Sequence, residues 1–191
     1  MIKSAITICV VEQARKGPFV FHDDVSEACR IASELGFDAV ELFAPSASAI
    51  RALPMADLLT RYNLKLAAVG TGAGMVVHKL HLCDPDSSRR QQAEQFIRDI
   101  MDAGSEFGAP AIIGSMQGKW DDVVGQLTAV KYLQDALQRL GEHAESLGTT
   151  LLYEPLNRYE TNMANTLQQS VDLLQPLATG SVKLLADLFH M

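Results

Sequence analysis

Six short apolar runs, at residues 5–11, 38–43, 64–69, 111–114, 151–153 and 182–191, alternate along the chain with five segments of helical periodicity. The runs are short and rich in β-branched or leucine side chains, which marks buried strands. The segments between them repeat apolar residues every three or four positions, as in Val25, Ala28, Cys29, Ala32 and Leu35, or Val130, Leu133, Leu137, Leu140, Ala144 and Leu147. Alternation of this kind implies parallel strands joined by right-handed crossovers. Two α/β architectures satisfy it: an open doubly wound sheet and part of a (β/α)8 barrel. No shift of composition marks a linker, so residues 1–191 are expected to form one domain. A complete barrel takes about 250 residues, and no helix follows the sixth run. An open parallel sheet would finish on a covering helix, because both of its faces need burial. The pattern therefore predicts an incomplete (β/α)8 barrel of about six strands and five helices, and the chain reads as a fragment of a longer one.

Local signals set the boundaries. Asp24 precedes the first helix and Gly36 ends it; a short helix covers 55–61 after Pro54. Asp84 reads as the N-cap and Pro85 as the first residue of the long third helix, which closes at Gly108. Asn165 and Gln168 stand three apart, as a capping pair does. The stretch Gly70-Thr71-Gly72-Ala73-Gly74 does not open directly into a clear helical pattern, as a dinucleotide fingerprint must, so it reads as a flexible strand-to-helix loop. His78 and His81 fall in that loop, either solvated or touching a ligand. Trp120, the single tryptophan, is either a lid over a ligand or a loop anchor.

Composition narrows the function. Hydrophobic residues make up 48% of the chain and charged residues 20%, which predicts a packed core. The formal charge is −7, with no basic cluster longer than Arg89-Arg90, which argues against a nucleic-acid surface. No run approaches the roughly 20 apolar residues of a membrane span. Cys9, Cys29 and Cys83 are widely spaced, so free buried thiols in a reducing, cytoplasmic setting are expected.

The chemistry gathers at two strand ends. Glu154 closes the fifth run, and Pro155 stops the ladder there by removing an N–H. Asp187 stands near the end of the sixth. In a barrel, consecutive strand ends share one rim, which makes these carboxylates neighbours. Unpaired acids side by side repel each other. A divalent cation between them removes that conflict, and oxygen ligands suit Mg²⁺ or Mn²⁺. His190, three residues beyond Asp187, reaches the same rim.

The motifs Glu154-Pro155-Leu156-Asn157-Arg158-Tyr159-Glu160 and Asp187-Leu188-Phe189-His190-Met191 resemble those of the xylose isomerase-like TIM-barrel superfamily. The similarity is greatest to its sugar isomerase and epimerase branch, with ketose 3-epimerases and hydroxypyruvate isomerases. Asp84-Pro85-Asp86 followed by Arg89 or Arg90 resembles the family's entry to the third helix. The resemblance implies one divalent ion (Mn²⁺, Mg²⁺ or Co²⁺) with Glu154 and Asp187 as ligands, and Glu154 as the acid/base beside a carbonyl. It implies that Glu160 and His190 hold substrate oxygens, and it sets Trp120 where a pocket-wall aromatic is often found. A proton moved next to a carbonyl leaves an enediolate, whose oxygens a cation stabilises. The family's remaining ligands, a His and a second Glu on strands seven and eight, have no counterpart in this sequence. The expected substrate is a small sugar or keto acid, and a homo-oligomer is expected because an incomplete barrel exposes strand edges and apolar surface. An inosose dehydratase-like lyase and a truncated, non-catalytic barrel serving in ligand binding or assembly are the rival readings. An endonuclease IV-like enzyme needs zinc-binding histidines at the earlier strand ends, where Val69-Gly70 and Gly114-Ser115 stand instead.

Overall fold

The computed structural model describes residues 2–190. In chain order its strands and helices are β1 (Ala5–Cys9), β2 (Phe21–His22), α1 (Val25–Glu34), β3 (Ala39–Phe43), α2 (Ala47–Ala52), α3 (Met55–Tyr62), β4 (Lys65–Gly70), α4 (Ala73–His78), α5 (Ser87–Ser105), β5 (Ala111–Ile113), α6 (Gln126–Ser146), β6 (Leu151–Tyr153), α7 (Leu167–Leu174) and β7 (Val182–Leu184). The strands form one parallel sheet in the order β2-β1-β3-β4-β5-β6-β7, and its two edge strands, β2 and β7, do not pair with each other. The expected incomplete barrel is thus present, with one more strand and two more helices than the periodicity predicts.

The register divides each strand's side chains between two faces. Ile8, Val40, Leu42, Val69, Ile113, Leu151 and Tyr153 are buried in a single core. The helices supply the other side of that core. Leu133, Leu137, Leu140 and Ala144 of α6 are fully buried, as are Ala93, Ile97 and Ile100 of α5. Each such leucine or isoleucine contributes about 1.5–3 kcal/mol by leaving water. The alternate residues, among them Thr7, Glu41, Gly70 and Ile112, face a cavity instead.

Several boundaries differ from the expectation for identifiable reasons. β2 has only two residues and no alternation to detect; Phe21 and His22 pair with Ile8 and Cys9. α2 begins at the Ser46 cap, whose Oγ accepts the Ala49 N–H at 3.1 Å. The glycine stretch is not a flexible loop, because α4 starts directly after Gly72. Gly74 lets that helix sit close, since a Cβ there would lie 2.5 Å from Met116 Sδ. Asp84 does not cap α5. Its buried carboxylate is taken by the Arg89 guanidinium at 2.8 Å and the Asp86 N–H at 2.9 Å, and Asp86 caps instead, accepting from Ser88 N. The cap of α7 is likewise one residue late. Thr166 Oγ1 accepts from Gln169 N while Gln169 Oε1 accepts from the N–H of Asn165, the residue before the cap, a variant of the capping box. The last strand stops at Leu184 rather than running to the chain's end, so Asp187 lies in the turn beyond it. Met191, the final residue of that motif, lies outside the described residues.

All three cysteines are free and buried, as expected. Among the described residues no helix is long and apolar enough to cross a membrane.

Candidate active site

The ladder between β5 and β6 continues one residue past the strand, with Glu154 N–H donating to Ile113 O at 2.9 Å. Leu185 N–H then donates to Tyr153 O at 3.0 Å, so the chain beyond β7 runs beside Glu154. Alternation places Glu154 on the face opposite Tyr153. Tyr153 is fully buried in the helix-side core, and Glu154 looks into the cavity. That cavity has a volume of about 840 Å³. Glu41, Glu154, Glu160 and Asp187 form its acidic wall with His190 beside them, and Phe19 and Phe43 stand in its lining as well. The two phenylalanine rings stack with centroids 5.3 Å apart.

Asp187 organises the turn that brings His190 back to the site. Its Oδ1 accepts the Phe189 N–H at 2.8 Å, and its backbone carbonyl accepts His190 N–H at 3.1 Å. This is the local hydrogen bonding that favours Asp in turns. His190, whose side chain is 9% exposed, ends with Nε2 3.9 Å from both Glu154 Oε1 and Asp187 Oδ2, and Nδ1 3.7 Å from Glu160 Oε1. One ligand atom from each of Glu154, Asp187 and His190 falls within 4.8 Å of the others. Four of the five residues expected from the sequence therefore converge.

Trp120 is the exception, for it does not line the cavity. Its backbone N–H and Nε1–H donate to Asn162 Oδ1 and O, both at 2.9 Å, and Asn162 Nδ2 donates back to Trp120 O. The ring packs on the core and fastens the β5 loop to the loop that carries Glu160. His78 and His81 also lie outside the lining. His78 packs edge-on against Phe96, and His81 has a buried Nδ1 with no partner.

The charges are mismatched in a way that suits a cation. Burial, followed by Asp187, Glu41 and Glu160, pushes the Glu154 carboxyl up to about 7. Among the described residues His190 is the one ion-pair partner within 4 Å of Glu154, Glu160 or Asp187. Lys16 also lines the cavity, but among the described residues no lysine or arginine pairs with these acids within 4 Å, and oxygen ligands in such number fit a hard divalent ion. Glu154 also depends on Gly114, because a Cβ at that position would lie 2.9 Å from Glu154 Oε2.

Sequence reasoning missed two contributors. Glu41, inside an apolar strand, pairs in register with Thr7 and accepts its hydroxyl at 3.3 Å; burial and Asp187 raise its pKa. The signal was a lone acid alternating with the core residues Val40 and Leu42. Gln117 is fully buried. Its Oε1 accepts from Tyr153 Oη at 2.6 Å, and its Nε2 donates to Gly114 O and Glu154 O. Nothing in its local sequence singles it out.

The chain is 26% identical over 168 residues to a D-psicose 3-epimerase of Ruminiclostridium cellulolyticum, covering 83% of this chain and 55% of that protein. It is 25% identical over 187 residues to a 3-dehydro-D-guloside 4-epimerase of Escherichia coli, covering 90% of this chain and 66% of the relative. The chain thus spans about half the length of the first of these relatives. Among solved structures, a D-psicose 3-epimerase with D-tagatose from Clostridium cellulolyticum superposes with a TM-score of 0.75 at 21% identity, over 98% of this chain and 64% of that one. The profile of the family described as a xylose isomerase-like TIM barrel matches residues 29–191, the segment that holds Glu41, Glu154, Glu160, Asp187 and His190. The chain belongs to the xylose isomerase-like TIM-barrel family.

Proposed function

We propose that this chain carries the base and two cation ligands of a sugar epimerase that moves a proton next to a ketose carbonyl. The observation that supports it most is Glu154: a carboxyl held near neutrality by burial and like charge, facing a cavity of about 840 Å³. A group that titrates near the working pH takes and returns a proton at little cost. The names of the relatives, which are epimerases of sugars, support the substrate class. A divalent ion held by Glu154 and Asp187 would offset their repulsion and supply positive charge beside the enediolate oxygens. Glu160 and His190 hold the oxygens at the carbonyl end, while Phe19 and Phe43 offer an apolar surface to the rest of the sugar. Residues 1–191 act as one domain in this reading, as a cytoplasmic homo-oligomer using Mn²⁺, Mg²⁺ or Co²⁺; sedimentation and metal analysis read the assembly and the ion directly.

The test is solvent exchange. The protein is incubated with Mn²⁺ and a ketose panel, including D-psicose and D-tagatose, in deuterium oxide. Deuterium should enter at the carbon next to the carbonyl, and Glu154→Gln should slow this by about 10²–10⁴-fold. Turnover unchanged in Glu154→Gln, or no exchange at that carbon with any ketose, would overturn the reading.

A further inference from the structure

Asn157, three residues after Glu154, is tied at both ends of its side chain. Its Oδ1 accepts the Tyr159 N–H at 3.0 Å, and its Nδ2 donates to Glu160 Oε1 at 2.8 Å. Turning the amide over would set its oxygen against the Glu160 carboxylate and its NH₂ against the Tyr159 N–H. The network therefore fixes one orientation. In that orientation the second hydrogen of Nδ2 meets His190 Nδ1 at 2.9 Å, and the backbone N–H of Asn157 reaches the same atom at 3.3 Å.

Both of these groups only donate, so His190 Nδ1 must accept. A neutral imidazole carries one hydrogen, which is then on Nε2. Nε2 looks into the gap between Glu154 Oε1 and Asp187 Oδ2, 3.9 Å from each and beyond hydrogen-bond reach of either. A ligand oxygen in that gap would meet an N–H. For Nε2 to bind a cation, its lone pair must be free and the hydrogen must move to Nδ1, where it would face two donors, the Glu160 carboxylate lying 3.7 Å away, beyond hydrogen-bond reach.

We propose that Asn157 is a positioning residue that locks His190 as the Nε2–H tautomer, so that Nε2 presents a hydrogen rather than a lone pair to the gap between Glu154 and Asp187. Which ligand oxygen meets that hydrogen rests on the epimerase reading; the tautomer does not. In the wild-type protein Asn157 thereby converts a histidine that stands within cation distance of two acids into a hydrogen-bond donor.

The test reads the tautomer directly. The whole chain is labelled with ¹⁵N-histidine, and His190 is assigned among the five histidines by the signal lost in His190→Gln. Two-bond ¹H–¹⁵N correlations at alkaline pH, where free imidazole is neutral, should show the Nε2–H pattern, and added Mg²⁺ should leave it in place. Asn157→Asp keeps the shape but offers Nδ1 an acceptor, and should reverse the pattern. Asn157→Ala, which keeps only the backbone donor, should give a mixture of tautomers, so it carries the test if the aspartate variant fails to fold. The unchanged signals of the other four histidines report an intact fold. An Nδ1–H pattern in wild type, loss of the Nε2 hydrogen with Mg²⁺, or a pattern unmoved in both variants overturns the proposal. Where a ketose is turned over, Asn157→Asp should lower kcat by about 100-fold, as loss of one oxyanion donor does, with KM changed far less. A chain inactive on every ketose would still report its tautomer, so failure of the epimerase reading and failure of this one are separate results.

Discussion

Replacing Glu154 by glutamine should stabilise the metal-free protein at alkaline pH, which is the reverse of what removing a paired acid does. Glutamine keeps the volume and loses the charge. The folded carboxyl titrates at about 7 against 4.5 for an ordinary glutamate, mainly because it is buried and then because Asp187, Glu41 and Glu160 crowd it. Between those values the folded chain holds a proton that the unfolded chain has released. Stability therefore falls as pH rises through this window, and the whole cost is present above it. At about 1.4 kcal/mol per pH unit the cost comes to about 3 kcal/mol. Wild type and Glu154→Gln should be equally stable near pH 4, and the variant should lead by about 3 kcal/mol at pH 8. Urea denaturation in the presence of a chelator, followed by circular dichroism, measures the gap as a shift in midpoint at constant slope. Adding a divalent ion should then reverse the order, because a ligand bound only to the folded state stabilises it and the variant has lost a carboxylate. A variant no more stable than wild type at pH 8, or a gap already present at pH 4, would refute the burial and like-charge argument.

Three further outcomes follow from the same contacts. Gly114→Ala puts a Cβ 2.9 Å from Glu154 Oε2; the carboxylate must move, and activity on a ketose should fall by about 100-fold, as small misplacements of reacting groups do, with little change in urea midpoint. Gln117→Leu leaves Tyr153 Oη and the Glu154 carbonyl without their side-chain partner, while Gly114 O keeps the Gln117 backbone N–H, and should cost about 1–3 kcal/mol; adding Tyr153→Phe to it should recover part of that in a double-mutant cycle. Glu41→Gln removes one of the charges that raise Glu154, so the Glu154 carboxyl should titrate at lower pH in the variant, as read by ¹³C carboxyl shifts.

The frame of this molecule was legible because its two periods are clean. Apolar runs such as 38–43 and 64–69, set between helices with faces like Leu133, Leu137, Leu140 and Ala144, leave little choice but a parallel sheet with helices behind it. The elements that escaped notice were those whose stability is borrowed from neighbours. β2 has two residues and relies on β1 for its ladder; α4 has six residues and packs through the Gly74 within it, against Met116. Cap positions slipped wherever a second polar residue competed for the role, as with Asp84, whose carboxylate Arg89 already occupies. At the site, Glu154, Glu160, Asp187 and His190 came from motifs. Glu41 and Gln117 did not, because their importance lies in partners 34 and 36 residues away in sequence, Thr7 and Tyr153. Trp120 shows the converse: an aromatic expected at the pocket wall spends its hydrogen bonds on Asn162 and holds a loop.

The division of labour between the two faces of the sheet shows why the acids are costly to the fold. One face of each strand is apolar and closed by helices, and nothing there is charged among the strand residues that the core contains. The other face carries Thr7, Glu41 and Glu154 into the cavity, with Asp187 on the turn beside them. Folding alone would favour apolar or neutral residues there, since burying an unpaired acid costs free energy that a domain with about 5–15 kcal/mol of stability has little of to spare. Glu154 by itself accounts for about 3 kcal/mol above neutral pH, and Glu41 is shifted in the same direction. Local rules are broken in this way where a site needs the group. A divalent ion or a substrate proton would offset such a cluster, so the residues that weaken the empty fold are the ones on which the proposed function rests.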